Sequence, residues 1–146
     1  MSEKLGRWPV QLDVAVQWGD MDAFGHVNNT VYLRWCESAR IAYFEKLQLA
    51  TGGQNVKHGP ILARAAVDYR KPVVYPATVR VRSTISKLGN TSAVMLYRME
   101  LVPSGERVAE GESVIVLVDY STGAKVPLDA ALREKISALE AQGSGG

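Results

Sequence analysis

A single cysteine, Cys36, occurs in 146 residues, so an internal disulfide is excluded and a thiolate metal centre has no ligand set. The two histidines, His26 and His58, show no ligand-like spacing, and no metal or other cofactor is expected. No apolar run approaches the roughly 18–20 residues that span a bilayer. The first residues, Met-Ser-Glu-Lys-Leu-Gly-Arg, contain no apolar segment, so a signal peptide is not expected either. A net charge of +2 is too small to argue for nucleic acid or an anionic membrane as partner. Together these absences point to a reducing, cytoplasmic setting. Phosphate-cradling glycine loops and a His-Glu-x-x-His run are missing. Gly111-Glu-Ser113-Val-Ile lacks the last glycine of a nucleophile elbow. There is no internal repeat, so residues 1–142 are expected to form one domain, with 143–146 a flexible, linker-like tail or expression remnant.

What is present is strongly patterned. Residues 10–18 alternate apolar and polar positions, which predicts a strand with one buried face. Asn28, Asn29 and Thr30 are all good helix caps, and the stretch 30–48 reads as a helix. That helix carries apolar residues on its back as well, with Leu33, Ile41 and Phe44 among Arg34, Glu37, Arg40 and Glu45. Burial nearly all round is the expectation, with Gly52-Gly53 as the break. From Pro60 the period changes to two, predicting strands over 61–70, 78–88, 92–102 and 107–119. Gly89-Asn90 and Pro103-Ser-Gly105 mark tight turns, so consecutive strands should be antiparallel. Pro127 opens a short amphipathic helix with Leu128, Leu132, Ile136 and Leu139 on one stripe. The order predicts an α+β domain: one sheet covering a hydrophobic helix on a single face.

The stretch that organises the chain is Trp18-Gly-Asp-Met-Asp-Ala-Phe-Gly-His-Val-Asn-Asn. It brings two carboxylates, Asp20 and Asp22, and His26 onto a loop that feeds a helix N-terminus. The unpaired N–H groups and the positive dipole end there can stabilise an oxyanion. A carboxylate beside it can attack an acyl carbon or activate a water. A thioester suits so lean a site, because its thiol leaves as thiolate near neutral pH without a strong acid. Asp-x-Asp in such a loop also has a purely structural use, capping and turning the backbone.

Continued by Tyr32 and by Glu37-Ser-Ala-Arg40, this run resembles the hotdog-fold acyl-thioesterases of the 4-hydroxybenzoyl-CoA thioesterase family, in particular the branch with a Gly-His-Val-Asn-Asn run. Pro60-Ile61, Val67-x-Tyr69 and Pro72 fit the family's second strand, and the resemblance covers roughly residues 10–120. It implies a hotdog fold, an antiparallel sheet of about five strands wrapped round a long central helix, with a short C-terminal helix added. It also implies hydrolysis of acyl-CoA to free acid and coenzyme A in a homodimer or homotetramer whose active sites form between subunits. By resemblance Asp22 is the catalytic carboxylate and His26 its assistant, with Asn28 and Asn29 at the carbonyl-polarising helix start. Tyr32, Glu37, Arg40 and Lys87 are substrate-binding candidates, Glu37 doubling as the reserve carboxylate; the plainer reading of Glu37 and Arg40 is an i,i+3 ion pair. Phe24 stands where plant acyl-carrier-protein thioesterases carry an asparagine, so no mechanism through that asparagine is expected. The turn Lys87-Leu-Gly-Asn-Thr91 holds one lysine where the benzoyl-CoA enzyme has a basic cluster, leaving Arg70 or Lys71 to grip coenzyme A. Two alternatives stay open: an acyl-carrier-protein thioesterase, and a non-catalytic module that binds acyl-CoA.

Overall fold

The computed structural model describes residues 8–49 and 57–143. The elements run β1 (Val10–Ala15), α1 (Asn29–Lys46), β2 (His58–Tyr69), β3 (Thr78–Leu88), β4 (Ser92–Val102), β5 (Arg107–Asp119) and α2 (Ala130–Ala141). The five strands make one antiparallel sheet in the order β1-β3-β4-β5-β2. The sheet curls over α1 in the hotdog arrangement that the sequence implies.

Period-two alternation supplies the inner face. Val79, Val81, Ser83 and Ile85 of β3 lie opposite Leu101, Met99, Tyr97 and Met95 of β4, and of these only Leu101 is not fully buried. Against them pack Trp35, Cys36, Ala39 and Tyr43 of α1, all at most 4% exposed. Burying each large side chain of this kind contributes about 1.5–3 kcal/mol. Ser83, the polar exception on the β3 stripe, is satisfied by donating its hydroxyl to the Ala39 carbonyl at 3.1 Å. Gly111 of β5 lies against Cys36 of α1 and Tyr97 of β4. A Cβ there would meet the Cys36 sulfur at 3.1 Å and the Tyr97 ring at 3.2 Å, so any larger residue would push these neighbours aside by a few tenths of an ångström.

Two expectations need correction. The helix is buried along one broad face only: Leu33, Arg34, Glu37, Glu45 and Lys46 are exposed, whereas Arg40 and Phe44, assigned to the mixed side, are buried. The sheet of one chain covers a single side of α1 and leaves the side toward β2 open. The helix also stops before the expected break. Gln48 adopts a left-handed φ of 62°, its N–H bonds the Glu45 carbonyl, and the Leu49 N–H bonds the Phe44 carbonyl, each at 3.0 Å. This is a Schellman ending made without glycine. Gly52-Gly53, the residues 1–7 and the tail residues 144–146 lie outside the described residues.

The C-terminal helix begins at an Asp129 cap, two residues after Pro127, with Asp129 Oδ1 accepting from the Leu132 N–H at 2.8 Å. It buries Ile136 and Leu139. The register of β1 on β3 runs from Ala15 opposite Thr78 to Val10 opposite Ser83. Next to that register Glu140 of α2 accepts from the Ile85 N–H at 2.9 Å, the Thr84 hydroxyl at 2.6 Å and the Tyr43 hydroxyl at 2.6 Å. The other edge strand, β2, pairs with no further strand among the described residues, and its Ile61 and Leu62 are 44% and 47% exposed.

Candidate active site

The loop between β1 and α1 separates its two carboxylates into different jobs. A single 3₁₀ turn, Trp18–Asp20, follows β1 and buries Asp20. Asp20 Oδ2 accepts from the Gln17 N–H at 2.8 Å, and its backbone carbonyl accepts from the Asn28 N–H at 2.9 Å. Asp20 therefore ties the two ends of the loop together. Asp22 sits at the other end of a small hairpin closed by the Met21–Val27 bridge. Its N–H donates to the His26 carbonyl at 2.8 Å and its Oδ1 accepts from the Phe24 N–H at 2.8 Å. The reversal needs Gly25, whose φ of +81° is unfavourable for any residue with a Cβ. The hairpin is pinned to the body by the Val27 N–H on the Val73 carbonyl at 2.8 Å.

Asp22 and His26 line a cavity of about 590 Å³ together with Phe24, Asn29, Tyr32 and Tyr69, with Arg70 and Lys71 at its rim. Asn28 is the cap of α1; its Oδ1 takes the Thr30 N–H at 2.9 Å and the Thr30 hydroxyl at 3.0 Å, and its carbonyl takes the Val31 N–H at 3.0 Å. The Asn29 N–H is left without an acceptor among the described residues. It is thus an unpaired donor at the positive end of an 18-residue helix, on a residue that lines the same cavity as Asp22. Tyr69 donates its hydroxyl to the Asn29 carbonyl at 3.0 Å and packs edge-on against Tyr32, centroids 4.9 Å apart. Burial pushes both phenols up from their ordinary range, so each stays a neutral hydrogen-bonding group at physiological pH. Arg70 pairs with Glu110, and Lys71 pairs with Glu106.

The remaining candidates lie elsewhere. Glu37 and Arg40 line a second cleft of about 310 Å³ between α1 and β2, with Cys36, Val67 and Tyr97. The two do not form the i,i+3 ion pair: Arg40 turns inward and donates to the Tyr97 hydroxyl at 3.0 Å, which in turn is 2.6 Å from the Ser113 hydroxyl. Lys87 lies at the far end of β3 and lines neither cleft. His58 opens β2 beside Asp119, its Nε2 3.9 Å from the carboxylate, away from Asp22. Cys36 is buried, and burial pushes its thiol up to about 12, which removes it as a nucleophile. Among the described residues no three or more His, Cys, Asp or Glu side chains converge as metal ligands. Nor is any described helix long and apolar enough to cross a membrane.

Sequence pattern carries no signal for the Tyr97–Ser113 pair, because two polar residues on separate strands meet only through the sheet register. Tyr69 is visible in it as a strand residue, but its bond to Asn29 depends on how β2 ends against α1. Chemically, the first cavity offers a carboxylate, an imidazole and an unpaired backbone donor within one volume.

A family model described as the thioesterase-like superfamily matches residues 16–136. The chain is 26% identical over 133 residues to the long-chain acyl-CoA thioesterase FadM of Escherichia coli strain K12, covering 89% of this chain and 98% of that one. Among solved structures it resembles a thioesterase from Thermus thermophilus complexed with coenzyme A and zinc, at a TM-score of 0.80 and 36% identity over 92% of this chain and 96% of that one. The PA2801 protein of Pseudomonas aeruginosa superposes with a TM-score of 0.81 and 34% identity, covering 89% of this chain and 99% of that one.

Proposed function

The chain belongs to the thioesterase-like superfamily, and we propose that it is a thioester hydrolase that converts acyl-CoA to free acid and coenzyme A, with Asp22 driving the reaction. The observation that carries this is the shared cavity of Asp22, His26 and the unpaired Asn29 N–H. The thioester carbonyl oxygen is directed at the Asn29 N–H, where the helix dipole favours developing negative charge. Asp22 takes a proton from the attacking water, or attacks the carbonyl carbon itself to form an anhydride that water then hydrolyses to the free acid; in either case the coenzyme A thiol departs as thiolate. His26, on the same hairpin, assists in positioning. Arg70 and Lys71 at the rim face the phosphates of coenzyme A, exchanging their carboxylate partners for them.

The open edge of β2 supports a homo-oligomer in which two copies join at this strand. A twelve-residue edge with exposed Ile61 and Leu62 is a template for strand addition. Such a copy would cover the open side of α1 and complete both clefts between subunits. The buried free thiol fits a reducing, cytoplasmic location.

The test is release of free thiol from a panel of aliphatic and aromatic acyl-CoAs, with the corresponding acyl-carrier-protein thioesters alongside. Turnover of some acyl-CoA supports the reading. Turnover of carrier-protein substrates alone, or stabilisation by acyl-CoA with no thiol released, contradicts it.

A further inference from the structure

Resting on the thioesterase reading, we propose that the second cleft is a subsite for a negatively charged group at the far end of the acyl chain, making ω-carboxyacyl thioesters the preferred substrates. The cleft is walled largely by apolar groups, among them Leu33, Leu62, Ala65 and Val67, yet it contains Arg40. Arg40 is 8% exposed, and its one hydrogen bond within the described residues goes to the neutral Tyr97 hydroxyl. No described carboxylate pairs with it. Placing a guanidinium out of water without a countercharge is costly, and four of its five N–H donors remain for a ligand.

The other charges at the cleft do not supply the missing anion. Glu112 pairs with Arg64 at 3.0 Å, Arg34 reaches toward Asp20 at 3.9 Å, and Glu37 is exposed to solvent. Cys36 stays a neutral thiol.

Both this cleft and the first cavity are lined by residues of α1 and β2. At 100° per residue, Asn29, Cys36 and Arg40 fall within about 40° of one another on α1, and Arg40 lies about 16 Å along the axis from Asn29. On β2, Tyr69 lines the first cavity and Val67, two residues back on the same face, lines the second. The Tyr32–Tyr69 ring pair lines the first cavity on these same two elements. An acyl group held by its carbonyl at Asn29 and running between α1 and β2 passes this pair and ends at Arg40. The guanidinium is then in place to receive a carboxylate.

The experiment compares kcat/KM for chain-matched pairs of acyl-CoAs, one ending in a carboxylate and the other in a methyl group, over increasing chain length. The wild-type protein should favour the carboxylate form at least about tenfold at its best length, roughly 1.4 kcal/mol. Arg40→Met should bring the ratio to about one, and Arg40→Lys should keep part of the preference. A wild-type ratio at or below one at every length overturns the proposal. So does a ratio that Arg40→Met leaves unchanged while dissociating the oligomer, which would assign the guanidinium to a contact between copies. If Arg40→Met does not fold, competition of wild type by free α,ω-dicarboxylates against matched monocarboxylates decides: stronger inhibition by the dicarboxylates is expected, and equal inhibition overturns the subsite. If no thiol is released from any substrate, the thioesterase reading fails by itself. Thermal stabilisation by the two acyl-CoA forms then tests the subsite separately, and equal shifts reject it.

Discussion

The Tyr69 hydroxyl donates to the Asn29 carbonyl at 3.0 Å, joining the last residue of β2 to the first residue of α1. The bond anchors a residue that lines the cavity with Asp22. Because β2 is an edge strand among the described residues, this one side chain links the sheet edge to the helix start.

Tyr69→Phe removes this bond and keeps the ring against Tyr32. One neutral hydrogen bond contributes about 1 kcal/mol, so kcat/KM for the best acyl-CoA should fall roughly fivefold with the fold intact. Steady-state thiol release checks it; an unchanged kcat/KM would show that the helix start needs no such anchor.

Cys36→Ala should retain turnover, since a thiol pushed up to about 12 is not a thiolate at neutral pH. The raised value also has a stability consequence of definite sign. The unfolded thiol ionises near its ordinary 9 and the folded one near 12, so stability is full below pH 9 and declines as pH climbs toward 12. Urea midpoints across that range should fall in wild type and fall less in Cys36→Ala.

Glu140→Ala strips the acceptor shared by Tyr43, Thr84 and the Ile85 N–H. Leaving partly buried donors unsatisfied costs about 1–3 kcal/mol each, so a loss of several kcal/mol is expected. Thermal unfolding should show a drop in Tm of at least about 5 °C. A change within a degree would mean that water replaces the carboxylate without penalty.

Leu62→Lys places a charge on the exposed β2 edge, a standard deterrent to strand addition. Sedimentation should show a smaller species than wild type, and activity should fall with it if the sites lie between copies. An unchanged oligomer would move the contact away from β2.

Much of this architecture is legible in the residues themselves, for identifiable reasons. The bounds of β3, β4 and β5 follow from clean alternation stopped by Gly89-Asn90 and by Pro103-Ser-Gly105, where local chemistry decides the outcome. The predicted β1 runs three residues too long, because Val16 and Trp18 continue the alternation while the backbone already turns toward Asp20. The turn that ends α1, within two residues of the expected 48, is less legible. Gln48 occupies a left-handed position usually given to glycine, supported by Leu49 packing against the core, a tertiary effect with no local marker. At the site, Asp22, His26, Asn29 and Tyr32 are legible as one motif because they are close in sequence and come together in one cavity. The division of labour between Asp20 and Asp22 is not, since it depends on which carboxylate the returning chain buries. By spacing alone Arg40 looks like half of a surface ion pair; only the sheet register shows that Tyr97 draws it inward.

The central claim is that Asp22 carries the chemistry. Single-turnover thiol release by wild type and Asp22→Asn, on the best acyl-CoA of the panel, tests it most directly. Asparagine keeps the size and can still accept from the Phe24 N–H, but it has no charge and no basicity. The account predicts a fall of at least about a hundredfold, roughly 2.7 kcal/mol of transition-state stabilisation, with the Tm little changed. A variant that keeps turnover within a few-fold of wild type would contradict it and direct attention to Glu37 in the second cleft.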